Sequence, residues 1–401
     1  MRIVITGADG FIGTNLRMRL AELGHAEVAC ITLCTPADAV QAALTQAEFV
    51  FHLAGVNRPQ DPAEFATGNA GLTQDICAAL AAAGRRATVV LASSTQALQN
   101  NPYGRSKLAA EEVVRGYAAA TGAPVHVFRL TNVFGKWAQP NYNSAVATFC
   151  HNVARGLPIT VNDPAAPLQL AYIDDVVERF VQLLEAAGDM DCRASLAMTN
   201  SRVTARPQAV AVHAGVADMT AGGQSFVTVE PQYTTTVGEL ARLIQSFKDS
   251  RDTLMTERVG TGLVRALYAT YVSYLPVESF AYALPTHADP RGTFVEMLKT
   301  PDCGQFSFLT AQPGATRGGH YHHSKTEKFL VIRGQARFKF RHMQTGQTHE
   351  LFTSGDKFEI VETVPGWTHD ITNIGTDEMF VMLWANEVFD RERPDTFACP
   401  V

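Results

Sequence analysis

Short, almost wholly apolar runs open the chain. Ile3–Ile5, Phe49–Leu53, Thr88–Ala92 and Val125–Arg129 have the pattern of strands buried on both faces. Between them, Leu72–Ala83 and Ser106–Ala120 carry apolar residues at helical spacing. This alternation lasts from Met1 to about Leu184 and predicts a doubly wound α/β sheet. The pattern then loosens. Gly188–Gly223, rich in Ala, Thr and Gly, reads as loops and short strands, whereas Val237–Phe247 and Leu254–Tyr274 read as helices. Residues 185–277 are expected to form a substrate lobe over the sheet. From Glu278 onward the period changes to two. Gly292–Glu296, Gln305–Leu309, Glu327–Ile332, Ala336–Arg341, Lys357–Val361 and Met379–Trp384 are short strands punctuated by Gly and Pro, which predicts an all-β barrel. The expected division is 1–277 and 278–401.

Bulk properties narrow the class. At 401 residues the chain is too long for one ordinary domain. The net charge is −6 and no long Lys/Arg run occurs, which excludes nucleic acid and anionic membrane as main partners. No apolar run is long enough to span a bilayer. The seven cysteines are scattered, no CxxC pair occurs and no signal-peptide pattern opens the chain, so a reduced cytoplasmic protein is expected. A homodimer is expected from the prevalence of symmetric oligomers.

The first chemical motif follows the first strand directly: Gly7-Ala-Asp-Gly10-Phe11-Ile12-Gly13, opening a helix at Thr14. Gly7 permits the tight turn, Gly10 a close approach of backbone to pyrophosphate, and Gly13 helix–strand packing; the helix N-terminus then faces the phosphates. Downstream lie His52-Leu53-Ala54-Gly55, Asn69, Ser93-Ser94-Thr95 and Tyr103-Gly-Arg-Ser-Lys107. Tyr103 and Lys107 are four apart, hence on one helix face, where the ammonium lowers the phenol pKa and readies it for proton exchange.

A second constellation lies near the other end. Gly314-x5-His320-x-His322-x4-Glu327-x6-Gly334 is followed by Pro365-Gly366-x2-His369-x3-Asn373. His320 and His322, two apart, share one side of a strand. Three imidazoles and a carboxylate suit Zn, Fe, Mn or Ni. The same residues also allow metal-free acid/base chemistry with His320 as base, so ligand and base remain alternative roles for it.

The N-terminal set resembles extended short-chain dehydrogenase/reductases, and the C-terminal set matches the two cupin motifs. The resemblance implies a Rossmann α/β domain with a lobe, plus a cupin barrel. It implies cofactor contacts from Gly7, Gly10, Phe11, Ile12, Gly13, Leu53, Ala54, Gly55, Tyr103 and Lys107. Ser94, with Thr95 as alternative, Tyr103 and Lys107 are implied as catalytic. The stretch Ile31–Thr35 holds neither an acid for a ribose 2′-OH nor an Arg for a 2′-phosphate. The missing acid favours NADPH, with NAD possible. The Ser94–Tyr103 interval is shorter than in most extended reductases, which implies a trimmed loop.

His320-Tyr321, Lys328–Val331 and Asp289-Pro-Arg291-Gly292-Thr-Phe294 also resemble metal-independent 4-keto-6-deoxysugar epimerases. The combination, with Asn101-Pro-Tyr103-Gly, Phe134-Gly-Lys-Trp137 and Pro140–Ser144, resembles the bifunctional capsular-polysaccharide enzymes of the UDP-N-acetyl-L-fucosamine pathway. The family implies a UDP-sugar substrate. Its cupin epimerises C3 of a UDP-2-acetamido-2,6-dideoxy-4-hexulose, and its reductase reduces the C4 ketone with NADPH to the L-talo sugar. Arg129, Asn132 and Asn143 are implied at the substrate. His320, His322, Glu327 and His369 are implied as ligands of a divalent metal, with Zn favoured. Two alternatives remain. In one, the barrel is a binding or dimerisation module on a single-activity sugar-nucleotide enzyme. In the other, the chain is a non-catalytic NADP sensor.

Overall fold

The four apolar runs pair side by side, since strands apolar on both faces must be covered on both. The computed structural model describes residues 1–199, 226–289, 292–295, 298, 304–387 and 392–401. Contacts group them into two units: Met1–Val133 with Ile173–Gln232, and Phe134–Tyr172 with Tyr233–Val401. That grouping joins the lobe helices to the barrel rather than dividing the chain at 277.

In the first unit, β1 (Ile3–Thr6), β2 (Val28–Ile31), β3 (Phe49–His52), β4 (Thr88–Ser94) and β5 (Val125–Leu130) form one parallel sheet. Its order is β2–β1–β3–β4–β5. The intervening helices are α1 (Phe11–Glu22), α2 (Ala37–Gln46), α3 (Leu72–Ala82) and α4 (Pro102–Thr121). Alternate residues serve opposite faces. Val50, Val89 and Val127 pack with Ile76 and Leu80 of α3 and Val114 of α4. Phe51 and Phe128 turn the other way onto Phe180 of α6 (Ile173–Thr199), with ring centroids at 5.6 and 4.8 Å.

Two helices of this unit differ from expectation. Helix α4 begins four residues before Ser106, because Asn101 caps it: its side chain accepts a hydrogen bond from the Gly104 N–H at 2.7 Å, and Pro102 occupies the first turn. Helix α6 continues through Thr199, so the loop reading fails over 188–199. Met, Ala and Leu favour helix there, and Gly188 costs only about 1 kcal/mol. The rest of that stretch, 200–223, lies outside the described residues, as do Arg291 and Glu296.

A short three-stranded sheet orders β6 (Asn132–Phe134), β7 (Pro167–Tyr172) and β8 (Gln232–Thr236). Helix α5 (Ala145–Ala154) is capped by Ser144, and α7 (Val237–Thr253) by Thr236, whose hydroxyl accepts from the Glu239 N–H. The helix expected over Leu254–Tyr274 is shorter: Leu254 is left-handed (φ 60°) and ends α7, and α8 runs Gly262–Ser273.

The C-terminal β region consists of two five-stranded sheets and a separate two-stranded hairpin. The strands are β9 (Ala281–Ala283), the hairpin β10 (Thr286–Asp289) with β11 (Gly292–Val295), β12 (Gln305–Ala311), β13 (Thr316–Tyr321), β14 (Glu327–Arg333) and β15 (Gln335–His342). They continue with β16 (Thr348–Ser354), β17 (Glu359–Glu362), β18 (Trp367–Asn373), β19 (Met379–Ala385) and β20 (Phe397–Ala398). The sheet orders are β12–β19–β14–β17–β9 and β16–β15–β18–β13–β20. The pairings within both are antiparallel. Phe338, Phe340, Ile360, Val381 and Trp384 are buried inside.

A buried ion cluster ties α7 and α8 to the barrel. Glu362 of β17 accepts from Lys328 of β14, from Arg251 of α7 and, at 3.4 Å, from the Tyr268 hydroxyl of α8. Burial opposes ionisation of Glu362, but the Arg251 and Lys328 charges outweigh it and hold its pKa below the carboxylate range. Glu362→Gln would strand the buried Lys328 and the half-buried Arg251. It is expected to lower unfolding free energy by about 3–5 kcal/mol in denaturant titration. The Glu362 contribution is present above the ordinary carboxylate pKa and lost as pH falls through the depressed one. The wild-type–variant difference should therefore shrink on acidification; a loss below about 0.5 kcal/mol at neutral pH, the range of surface changes, contradicts the cluster's role.

Candidate functional site

The first site is assembled at the C-terminal ends of the parallel strands. Gly7 adopts φ +66°, and a Cβ on it would meet Ala54 N at 2.8 Å. A Cβ on Gly13 would sit 2.2 Å from Gly7 O, so only glycine lets α1 lie this close to the turn. Gly10 is the N-cap of α1, no side chain caps it, and no acidic residue occupies the first turn. The turn and helix end suit a pyrophosphate, through backbone N–H groups and the helix dipole. Phe11 and Ile12 begin the helix, both half-buried.

Lys107 is buried and donates to Ala92 O at 3.1 Å. A Cβ on Gly55 would come 3.1 Å from Lys107 Nζ, which places Leu53–Gly55, Gly7 and Lys107 together. Burial lowers the Lys107 pKa to about 8, with Glu111 opposing. Tyr103, one helical turn earlier, is half-buried; Lys107 Nζ lies 5.9 Å from its ring centroid and Phe65 5.6 Å. Ser94 ends β4, and its hydroxyl accepts from the Gln96 N–H at 3.2 Å; Thr95 is exposed.

The short Ser94–Tyr103 interval has a physical basis. A Cβ on Gly104 would lie 2.3 Å from Gln96 O and 2.4 Å from Gln99 O. Glycine therefore lets the first turn of α4 press onto the turn that follows β4, next to Tyr103.

Asn69, in a π-helical turn at Ala66–Gly71, acts as a bracket. It accepts from Val56 N and donates to Val56 O and to Ser106 Oγ, at 3.0, 3.1 and 3.0 Å. His52 is buried between Thr6 and Thr73, 2.8 Å from each hydroxyl, and burial takes its pKa to about 3. Arg129 is committed to an ion pair. It makes two hydrogen bonds to the buried Glu111, at 2.9 and 2.7 Å, and stacks on Phe226 at 3.9 Å. Asn132 is exposed at the start of β6. Asn143 is exposed in the second unit, just before α5.

Arg17 was not singled out by the sequence. It lies on α1 and donates to Ala8 O at 3.3 Å, while Ala8 N donates to Ile31 O at the end of β2. Sequence reasoning looked for a cation after β2, whereas this one arrives from the neighbouring helix.

The second site is in the barrel. The donor atoms of His320, His322, Glu327 and His369 all lie within 4.8 Å of one another. His322 Nε2 is 3.2 Å and His369 Nε2 3.6 Å from Glu327 Oε2; Lys325 Nζ holds Oε1 at 2.8 Å. His322 Nδ1 donates to the Asp395 carbonyl at 2.5 Å, and Nε2 is the ring nitrogen that faces the cluster, 3.2 Å from Glu327 Oε2. His369 is buried and its Nε2 has no hydrogen-bond partner. His320 is half-buried, and burial with the His369 and His322 charges lowers its pKa to about 4. Burial works against the Glu327 carboxylate, yet His322, His369 and Lys325 hold its pKa well below the usual value. Three imidazoles and an ionised carboxylate converging on one point fit a divalent cation.

Comparisons place the chain. Residues 3–192 match the NAD dependent epimerase/dehydratase family, and residues 287–397 the polysaccharide biosynthesis C-terminal domain. A Pseudomonas aeruginosa UDP-2-acetamido-2,6-β-L-arabino-hexul-4-ose reductase is 54% identical over 401 residues, 100% of this chain and 99% of that protein. The structure of the capsular polysaccharide assembling protein CapF from Staphylococcus aureus is 38% identical with TM-score 0.63, and covers 100% of both chains. A CapF structure with the inhibitor 3-isopropenyl-tropolone is 34% identical with TM-score 0.59, again over 100% of both.

Lys107 provides a direct check on the first site. In ¹³C NMR of the dimethylated protein its resonance should titrate near pH 8, against about 10.4 for an ordinary lysine. A midpoint above 10 contradicts the buried placement.

Proposed function

The chain belongs to the family of UDP-2-acetamido-2,6-β-L-arabino-hexul-4-ose reductases, two-part capsular-polysaccharide enzymes, and on that premise we propose that its two sites treat one keto-sugar in turn. The barrel epimerises C3 of a UDP-2-acetamido-2,6-dideoxy-4-hexulose, and the reductase site reduces the C4 ketone, giving UDP-2-acetamido-2,6-dideoxy-L-talose. The observation that carries this reading is the presence, in one chain, of both a Tyr103–Lys107 pair beside a glycine-rich turn and a converging His₃Glu cluster.

A 4-keto group acidifies the C3 proton, so a base suffices for exchange. Bound zinc would supply Lewis acidity toward a ketone oxygen. His322, Glu327 and His369 would hold it, with His320 either the fourth ligand or the C3 base. Of the four, His320 is the least buried, which favours it as the base. Bound NADPH would supply hydride to C4. Ser94 then orients the ketone, Tyr103 gives its phenolic proton to the C4 oxygen, and Lys107 lowers the phenol pKa and holds the ribose. Once C4 is an alcohol the C3 proton is no longer acidic, so reduction locks the new stereocentre. Leu53, Ala54 and Gly55 line the cofactor beside Gly7. Arg17, at the junction of the glycine turn and β2, meets the 2′-phosphate and sets the preference for NADPH.

Separate variants divide the steps. Tyr103→Phe should slow ketone reduction by roughly 10²–10⁴-fold and leave C3 proton exchange intact. His320→Ala should abolish exchange; if the variant still binds zinc stoichiometrically, His320 is the base rather than a ligand. Exchange at the wild-type rate in His320→Ala would refute an epimerising barrel and leave it a binding module. Arg17→Ala should weaken NADPH binding roughly ten- to a hundredfold in fluorescence titration and leave NADH unchanged. Equal weakening of both would remove Arg17 from the 2′-phosphate.

A further inference from the structure

The C-terminal residues are wound through the barrel site. Asp395 lies 73 residues beyond His322, yet its carboxylate fills the loop between the candidate ligands His322 and Glu327. Oδ1 accepts from the His323 N–H at 2.8 Å. Oδ2 accepts from the Ser324 and Lys325 N–H groups, both at 2.7 Å, and from the Ser324 hydroxyl at 3.0 Å. Three successive amides aimed at one anion form a charge-assisted nest. Burial opposes ionisation of Asp395, but the His323 and His322 charges and these amides hold its pKa far below the carboxylate range. The main-chain carbonyl of the same residue accepts the His322 Nδ1 proton.

The following residues reach the other ligands. Strand β20 pairs with β13 so that Ala398 stands opposite His320 and Phe397 opposite Tyr321. Cys399 N donates to Gly319 O at 2.7 Å, and the Thr368 hydroxyl, next to His369, donates to Cys399 O. Arg341 Nη2 donates to Pro400 O at 2.6 Å and fastens the end. The segment Asp395–Cys399 therefore touches the neighbourhoods of His320, of His322 and Glu327, and of His369.

We propose that this segment is a strap that assembles the metal centre, with Asp395 as its positioning residue. One residue does two things. Its carboxylate fixes the loop that spaces His322 from Glu327, and its carbonyl fixes the tautomer that turns His322 Nε2 inward. The loop's Lys325 then reaches Glu327 Oε1 at 2.8 Å, which directs Oε2 at the two imidazoles. Without the anion the three amides lose their common acceptor and the ligand spacing is no longer imposed.

The proposal rests on the barrel binding a divalent ion, and its test separates the two. Full-length protein is stripped of metal, and zinc is titrated in competition with a chromophoric chelator. The cobalt form is examined by visible absorption. Asp395→Asn should raise the zinc Kd by roughly 10–100-fold and alter the cobalt d–d bands. Ser324→Ala, a milder change that deletes one bond to Oδ2, should shift the Kd the same way by less, and serves if Asp395→Asn does not fold. Asn373→Ala is the stability control. Its amide makes buried bonds to Ala311 O and Asp377 O, both at 2.9 Å, on the strand of His369 but outside the strap. It should lower the melting temperature without moving the zinc Kd. Unchanged zinc affinity in Asp395→Asn or Ser324→Ala overturns the strap. So does an affinity loss that merely follows melting temperature across the three variants. Wild-type protein that binds no zinc in the barrel overturns the metal reading and the strap with it.

Discussion

Glu327 stands at the start of β14 with both oxygens engaged, one by Lys325 and the other facing His322 and His369. Removing a carboxylate from water costs several kcal/mol unless donors or cations surround it. Two other buried carboxylates meet that demand wholly from the chain. Glu111 takes Ser93, Arg115 and Arg129; Glu362 takes Lys328 and Arg251. Each fastens elements together, Glu111 joining α4 to β4 and β5, Glu362 joining the lobe helices to the barrel. At Glu327 the surroundings differ in kind, with one ammonium and three imidazoles of which at least His320 is neutral at pH 7. A carboxylate facing several imidazole nitrogens is a ligand set rather than a fastening, and the barrel's proposed chemistry follows from that difference.

The reductase end uses burial for another purpose. Among the described residues Lys107 is held by the Ala92 carbonyl rather than by a carboxylate, and burial brings its pKa to about 8. A cation so placed attracts negative charge on a neighbouring phenol, which is what a proton-donating tyrosine requires. Asn69 and Gly104 fix the geometry around it, one by bracketing Val56 and Ser106, the other by letting α4 start against the turn after β4. In the proposed order, the barrel acts while the ketone is present and the reductase removes it.

Much of this was legible in the sequence. Double-sided strands such as Phe49–His52 announce themselves by a run of apolar residues in which the one polar side chain, His52, is held by two hydroxyls, and the ligand set is legible because its spacing survives translation into strand geometry. Contacts made across long separations were not legible. Nothing local marks Arg17 as a neighbour of β2, Arg129 as the partner of Glu111, or Asp395 as the acceptor for a loop 70 residues earlier. Helix ends erred where a single residue decides, as Asn101 does for α4 and left-handed Leu254 for α7. The interrupted strand β13, with Gly318 and Gly319, and the two-residue β20 lack the alternation that strand reading needs.

The central claim is that exchange at C3 in the barrel precedes and does not require reduction at C4. Incubating wild-type enzyme with the UDP-4-keto-6-deoxy-N-acetylhexosamine in D₂O, first without and then with NADPH, tests it by NMR and mass spectrometry. The account predicts deuterium at C3 of the keto-sugar without cofactor, and C3-deuterated alcohol once NADPH is added. Deuterium that enters only when NADPH is present, or a reduced product carrying none at C3, would contradict it.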